Sequence, residues 1–288
     1  MSNSVIENYL NQLQLKFSFT NKKTLFVENY NSSFSAFLIL TLFKERNVLH
    51  ILSDEEQALA SFNELSSFNS EHTFFFPALY YADGQPHKYY DFNFQQRTAL
   101  LERLSQNSSQ NSIIVSYYDA ITEPVLNKQE FSKHHFTLNK HEKISYNFLL
   151  EFLSEYHFVK SEFVYFPGQY AVRGNIIDVF SYANEYPIRI ELKNDIVDRL
   201  SEFHPSTQMS FRQIEKISIC PKVEDQNIEL VSLLDYLSES DCIIAKDIDL
   251  LEDYSDHSDI KRFSKQDILS SLQRFNFIKY GIGTKKGC

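Results

Sequence analysis

The first third of the chain alternates short runs that are apolar throughout with longer runs of helical spacing. The apolar runs predict β-strands at 24–28, 47–52, 72–77 and 112–118. The intervening runs predict helices at 32–46, 53–68 and 92–106. Strand–helix alternation with continuously apolar strands is typical of a doubly wound, largely parallel sheet that is covered on both faces.

The pattern changes near residue 135. One amphipathic helix is predicted at 146–158, and a series of short strands follows: EFVYFPGQYAVRG, NIIDVFS, PIRIELKN and IVDRLSEF. We expect a short helical turn and a strand over 211–219 to complete this part of the chain. Short turns between strands favour antiparallel pairing, and hence a small α+β domain.

From about residue 223 the α/β pattern resumes, with a helix predicted at 228–237, a strand at 241–247 and a helix at 265–275. The last residues, KYGIGTKKGC, lose apolar periodicity, so we expect the chain either to stop inside a longer protein or to end in a non-native tail. The simplest organisation is an α/β domain formed by 1–134 and a truncated 223–288. An α+β domain at 135–222 is inserted into it.

The strand PIRIELKN has strict alternation. Ile188, Ile190 and Leu192 share one face, which we expect to pack on the helix at 146–158, because successive side chains of a strand point to opposite faces. The other face then carries a charged set towards solvent: Arg189, Glu191 and Lys193.

Arg173 lies in the preceding strand region, AVRGNIIDVF. With a tight connection through SYANEYP, Arg173 and Arg189 share a face by parity, at different heights, unless a bulge near Gly174 changes the register. Two planar guanidinium groups suit carboxylates on a partner, at about 1.5–3 kcal/mol for each charge-assisted contact. The pattern equally allows a solvated strand face with local ion pairs, such as Arg189 with a neighbouring acid.

Composition narrows the classes of function. The formal net charge of −10 and the scattered Lys and Arg residues disfavour direct DNA binding. The three cysteines have no metal-ligand spacing and fit a reducing, cytoplasmic location. No apolar run is long enough to cross a bilayer, so we expect no membrane partner.

The segment where a phosphate-binding loop is expected, 28–37, contains neither glycine nor lysine. The acidic SDEEQ at 53–57 is interpreted as a capping box with Ser53 as the N-cap and Glu56 as its partner. GIGTKKG, at 281–287, is predicted to be terminal coil. No catalytic residue, cofactor or metal is therefore predicted, and the chain is not expected to be an enzyme.

Three segments carry a more specific signal: FPGQYAVRGNIIDVFS, EYPIRIEL and DIVDRLSEFHPSTQ. They resemble the EPG-[EQ]-[FY]-x-x-RG-x-[IL]-[IVL]-D-[IVL]-F block, the R-[IVL]-[ED] strand and the FDP-x-[ST]-Q block of two bacterial DNA-repair families. These are the transcription-repair coupling factor (Mfd) and the excinuclease component UvrB. FFFPALYY and SIIVSYYDAITEPV also resemble the first domain of the coupling factor, so the similarity covers roughly residues 24–222.

The resemblance implies a degenerate, helicase-type phosphate-loop domain with an inserted domain that binds the excinuclease component UvrA in transcription-coupled repair. Arg173 and Arg189 match the family's two partner-binding arginines, with Asn175, Glu191 and Lys193 as neighbours. Lys193 departs from the aromatic residue usual at its position, which puts affinity in question.

In full-length coupling factors, RNA polymerase and DNA bind through downstream regions, and an ATP-driven translocase lies there too. Two alternatives stay open: a UvrB-like ATPase or helicase fragment, and a non-functional truncation product.

Overall fold

The computed structural model describes residues 24–28, 32–81, 83–106, 111–222, 229–248 and 261–281. The chain forms two compact units. The first contains the chain up to Tyr90, Gln106–Val125 and the chain from Leu230, and the second contains Asp91–Ser105 and Leu126–Glu229.

Strands and helices alternate at first, and strands dominate from residue 159 to residue 219. The strands are β1 (Thr24–Glu28), β2 (Val48–Leu52), β3 (Thr73–Phe76), β4 (Ile113–Tyr117), β5 (Val125–Leu126), β6 (Phe136–Asn139), β7 (Val159–Lys160), β8 (Gln169–Arg173), β9 (Ile176–Val179), β10 (Ile188–Lys193), β11 (Ile196–Phe203), β12 (Ser210–Ile214), β13 (Lys216–Ile219), β14 (Leu230–Val231), β15 (Cys242–Lys246) and β16 (Asn276–Gly281). The helices are α1 (Ser32–Phe43), α2 (Glu55–Asn69), α3 (Tyr90–Ser105), α4 (Tyr118–Thr122), α5 (Lys128–His134), α6 (Tyr146–Glu155) and α7 (Lys265–Leu272), with 3₁₀ turns at Ser70–His72 and Leu233–Tyr236.

The first unit is built on a parallel sheet with the strand order β1-β16-β15-β2-β4-β3. Every residue of β2 and β4 is buried, as expected for strands covered on both faces. The predicted α/β class, with a parallel sheet in one part and an antiparallel sheet in the other, is confirmed. Of the segment 28–37, where a phosphate-binding loop was expected, residues 29–31 lie outside the described residues, and 32–37 form the start of α1.

Three expectations for the first unit are wrong. Helix α2 is capped by Asp54, whose Oδ1 accepts the Gln57 N–H at 2.9 Å, rather than by Ser53. The predicted helix at 228–237 is replaced in its described part by β14 and the 3₁₀ turn at Leu233–Tyr236.

The third concerns the end of the sequence. The apolar residues of 276–280 form β16 between β1 and β15, so the loss of periodicity predicted from Lys279 onward comes too early. Residues 282–288 lie outside the described part.

The second unit is built on a sheet with the order β12-β11-β10-β9-β8-β7, antiparallel except for the β7–β8 pair. Helix α6 packs on one face, through Leu149 and Leu153. Ile188, Ile190 and Leu192 of β10 belong to the same buried core, which confirms the face predicted for them.

One local expectation for this sheet is also wrong. The chain over 210–219 forms two strands, β12 and β13, with no helical turn. At Gly174 the chain makes a turn with φ of +60°, and the register shifts of the sheet lie elsewhere, between Glu191 and Leu192 and between Glu202 and Phe203. β9 and β10 pair directly through the eight-residue connection 180–187, so the parity assumed for Arg173 and Arg189 holds.

Helix α3, predicted within the first α/β part, is grouped with the second unit. The domain boundaries at 135 and 222 stay predictions. Within the described ranges, no helix is long and apolar enough to cross a membrane. In the same part of the chain, no group of His, Cys, Asp or Glu side chains is arranged to hold a metal ion.

Candidate partner-binding site

Arg173 and Arg189 meet at one buried carboxylate, that of Asp178 on β9, which is 1% exposed. Arg189 donates from Nε to Oδ1 at 2.7 Å and from Nη2 to Oδ2 at 2.9 Å. Arg173 donates from Nη1 to Oδ2 at 2.9 Å. We call these three residues the Asp178 cluster. Its hydrogen bonds are charge-assisted, and the Arg189 pair is bidentate, the strongest geometry for these groups.

The strand register explains why they meet. Asp178 lies opposite Ala171 on β8 and opposite Arg189 on β10, and Arg173 lies two pairs further along β8, opposite Ile176. Residues opposite each other share a face of a sheet. The structure therefore agrees with the expectation of one shared face at two heights, and it also shows the local ion pair that the pattern allowed.

Further contacts fix each guanidinium group. Arg189 Nη1 donates to the carbonyl of Gln208 at 3.3 Å, and its Cζ lies 4.8 Å from the centre of the Phe203 ring. Arg173 Nη2 donates to the carbonyl of Glu162 at 2.5 Å, and its Cζ lies 4.9 Å from the Phe163 ring. Both groups are thus oriented before any partner arrives.

The two arginines differ in access to solvent. The side chain of Arg173 is 39% exposed, whereas that of Arg189 is 19% exposed. The hydrogen bond to Asp178 raises the pKa of Arg189 above its usual value, against the opposing effect of burial. Two arginines and one carboxylate leave one net positive charge, which Arg173 presents most openly.

The other three predicted residues lie outside the Asp178 cluster. Glu191 lies on the same face and pairs with Arg199 at 3.4 Å. Asn175 is exposed in the β8–β9 turn, and its carbonyl accepts the Leu192 N–H at 2.9 Å. Lys193 is exposed at the end of β10, beyond the bulge. The structure places none of these three in contact with Asp178 through a described hydrogen bond or ion pair.

Sequence reasoning missed Asp178 itself. It is the one acid within the apolar strand IIDV, and a carboxylate at such a position needs a buried partner, so the signal was present. It also missed the exposed aromatic segment that begins at Phe163, whose ring lies against the Arg173 guanidinium group. Phe163, Tyr165 and Phe166 are 39%, 47% and 68% exposed, on a segment in which Gln169 Oε1 accepts the N–H groups of Tyr165 and Phe166.

Gly168, in the FPGQ part of the first sequence motif, is required because the side chain of Tyr182 approaches it closely. Its φ is +81°, and a Cβ atom there would lie 2.6 Å from the hydroxyl oxygen of Tyr182. Any other residue would displace either Tyr182 or the exposed aromatic segment before it. This glycine therefore constrains the path of the chain that follows the exposed aromatic segment.

Residues 136–224 match the family model described as the UvrB interaction domain. The match contains the whole Asp178 cluster and its aromatic surroundings. It confirms the resemblance that the three sequence motifs predicted.

Similarity to whole proteins points the same way. The chain is 26% identical over 215 residues to the transcription-repair-coupling factor of Rickettsia conorii, covering 74% of this chain and 18% of that protein. It is 24% identical over 241 residues to the coupling factor of Borreliella burgdorferi, covering 77% and 20%. It is 29% identical over 158 residues to the UvrABC system protein B of Hydrogenovibrio crunogenus, covering 50% and 23%. The aligned region is about a fifth of the length of these coupling factors.

Proposed function

We propose that this chain, which contains a UvrB interaction domain and resembles the N-terminal part of transcription-repair-coupling factors, is a binding module for the excinuclease component UvrA. The Asp178 cluster and the exposed aromatic residues beside it form the proposed docking surface. Its role is to recruit UvrA during transcription-coupled repair of DNA, without chemistry of its own.

The observation that carries the proposal is the presentation of Arg173. Its guanidinium group is oriented by Asp178, Glu162 and Phe163, yet 39% of the side chain is exposed. An arginine held in this way loses little rotational freedom on binding, so a carboxylate of the partner gains the contact at a low entropic cost. The Asp178 cluster carries one net positive charge, opposite in sign to the net charge of the chain, so it attracts a partner carboxylate.

The aromatic side chains supply the second component of the surface. Interfaces derive much of their free energy from buried aromatic anchors next to arginine. Phe163, Tyr165 and Phe166 are partly or largely exposed and lie on the segment that contacts Arg173. They offer an apolar contact in a surface where Lys193 replaces the aromatic residue expected from the family motif.

Two finer points belong to the same proposal. The segment 28–37 lacks the glycines and lysine that hold nucleotide phosphates, so we expect no ATP binding by these residues. Binding of RNA polymerase and of DNA, which the resemblance assigns to other regions of coupling factors, is not proposed for this chain.

The test is calorimetric titration of the chain with UvrA from the same organism. The wild type is compared with Arg173→Ala/Arg189→Ala and with a control, Arg212→Ala/Arg274→Ala. The control removes the same two positive charges from exposed ion pairs with Glu202 and Asp235. Arg212 lies opposite Glu202, on the helix-covered side of the sheet, away from the Asp178 cluster.

We expect saturable binding by the wild type and by the control, and much weaker but still measurable binding by the arginine double variant. Because that variant leaves Asp178 buried and unpaired, Arg173→Ala/Asp178→Asn/Arg189→Ala is titrated beside it to separate lost contacts from lost folding. Equal binding by all four proteins, or no binding by a folded wild type, contradicts the proposal. A parallel ATP titration that gave binding would favour the UvrB-like ATPase alternative.

A further inference from the structure

We infer that Asp178 is the positioning residue of the docking surface: it does not touch the partner, and it holds Arg173 and Arg189 in the orientation in which a partner carboxylate meets them. The inference rests on the proposed function, and it assigns a role to a buried residue that stands at the Asp of the first sequence motif but was not predicted as a site residue.

The geometry carries this assignment. A single carboxylate accepts three hydrogen bonds from two guanidinium groups that belong to the strands on either side of its own, β8 and β10. Asp178 is 1% exposed, so a partner that docks on this surface does not reach its carboxylate. Among the described residues, the hydrogen bonds of this carboxylate go to the two arginines.

The bonds to Asp178 also decide which donors stay available. Arg189 uses Nε and Nη2 on Asp178 and Nη1 on the Gln208 carbonyl, which keeps most of its fork inside the protein. Arg173 uses Nη1 on Asp178 and Nη2 on the Glu162 carbonyl, and no described bond engages its Nε. The more exposed arginine therefore presents its remaining N–H groups from a fixed position.

Two possible roles of Asp178 predict opposite changes in the affinity for UvrA when its charge is removed. If charge alone matters, neutralising Asp178 raises the positive charge of the surface by one and strengthens the attraction for an acidic partner. If positioning matters, the same change releases two long side chains, each of which must then be immobilised during binding. Asp178→Asn keeps the shape of the side chain while it removes the charge, so it separates the two roles.

We expect Asp178→Asn to weaken UvrA binding about tenfold, since two side chains lose their orientation. A second readout is the rate at which the Arg189 Nε–H exchanges with solvent in the free protein. It is measured at a temperature where the variant is fully folded, so a purely structural role of Asp178 would leave it unchanged. We expect the Arg189 Nε–H, which is bonded to Asp178, to exchange slowly with solvent in the wild type and faster in the variant. Tighter binding by a folded Asp178→Asn variant, or an unchanged Arg189 exchange rate, overturns the inference.

The background supplies the control. In the Arg173→Ala/Arg189→Ala protein there is nothing left to position, so adding Asp178→Asn has no further effect on residual UvrA binding. A further loss of the same size would show that Asp178 acts through the fold of the domain rather than through the arginines, and would overturn the inference.

Two additional measurements distinguish a failure of positioning from a failure of the proposed function. If the wild type does not bind UvrA, the proposed function fails, whereas the exchange of the Arg189 Nε–H still tests whether Asp178 holds the arginine. If Asp178→Asn does not fold, the structure of the wild-type complex decides: the bonds from Asp178 to both arginines persist in the complex if Asp178 positions them. Their replacement by bonds to the partner refutes positioning.

Discussion

Two buried carboxylates, one in each unit, are both paired with arginine, but only one pair is open to solvent. In the first unit, Glu123 and Arg262 lie 3.5 Å apart, with side chains 3% and 4% exposed. In the second, the side chain of Asp178 is 1% exposed, yet Arg173 beside it is 39% exposed. Both pairs join a carboxylate to a guanidinium group, and they differ in how far the arginine is exposed to solvent.

Glu123 and Arg262 make several hydrogen bonds to the backbone around them. Its carboxylate accepts the backbone N–H groups of Leu79 and Tyr80 at 2.8 and 3.0 Å, and Arg262 donates to the carbonyls of Tyr80 and Tyr81 at 3.2 and 3.1 Å. Arg262 also donates to Thr122 Oγ1 at 3.2 Å. This pair connects a loop to the helix region of its own unit, which is a structural task. The Asp178 cluster leaves one arginine partly in solvent, and so it suits recognition.

The largest expected effect tests the enclosed pair. Arg262→Ala leaves Glu123 as a buried carboxylate without its cationic partner, and we expect it to lower the free energy of unfolding by about 3–5 kcal/mol. Urea unfolding measures this. Arg274→Ala, which removes an exposed arginine paired with Asp235, should change stability by less than about 1 kcal/mol. Comparable losses in the two variants would remove the distinction between enclosed and exposed pairs.

The next effect tests the open cluster. Arg173→Ala should weaken UvrA binding by about 1.5–3 kcal/mol, which is about 10- to 150-fold in Kd. Arg189 keeps its two bonds to Asp178, so the loss of stability should be smaller than for Arg262→Ala. Titrations at two salt concentrations check the electrostatic part, because screening reduces the difference between wild type and variant. Arg212→Ala serves as the control, and an equal loss of affinity in it would contradict a localised surface.

His50 is another buried polar residue of the first unit. Burial, with a smaller contribution from Lys246, lowers the pKa of His50 to about 3. In the unfolded chain a histidine titrates near 6.5, so below that pH the unfolded state takes up a proton that the folded state does not. Stability is therefore fully present above pH ~6.5 and is lost as the pH falls towards ~3.

For His50 the expected loss is about 2 kcal/mol between pH 7 and pH 5. Urea unfolding at both pH values measures it, with His50→Gln as the comparison. In His50→Gln, the difference in the free energy of unfolding between pH 7 and pH 5 should be smaller by about the same amount. An unchanged difference would show that His50 does not carry the pH dependence.

The smallest effect concerns the exposed aromatic segment that begins at Phe163. Phe166 and Phe68 are 68% and 63% exposed, the first on the proposed docking surface and the second on α2 of the other unit. Truncation of either to Ala should change stability by less than about 0.5 kcal/mol. Phe166→Ala should weaken UvrA binding by about 1 kcal/mol, roughly fivefold, while Phe68→Ala leaves it unchanged. Equal behaviour of the two variants would restrict the docking surface to the arginines.

The sequence by itself determined the two classes of sheet, because periodicity reports which faces are buried. The continuously apolar strands predicted a covered parallel sheet, and the alternation at 188–192 predicted which side of β10 packs on α6. The same parity placed Arg173 and Arg189 on one face. Where short polar turns and 3₁₀ segments compete with helix, as at 228–237, local pattern was insufficient, since the choice depends on pairing partners far along the chain.

Only the tertiary structure decided how the arginines are presented. Their meeting at Asp178 requires the register of three strands, and the exposure of each depends on Phe163, Phe203 and Gln208, which are distant in sequence. The place of β16 between β1 and β15 was likewise not predictable from local sequence, because a strand near the end of the sequence is buried only by the neighbours it pairs with. Periodicity specifies a face. Which groups cover that face, and how completely, is a property of the folded chain.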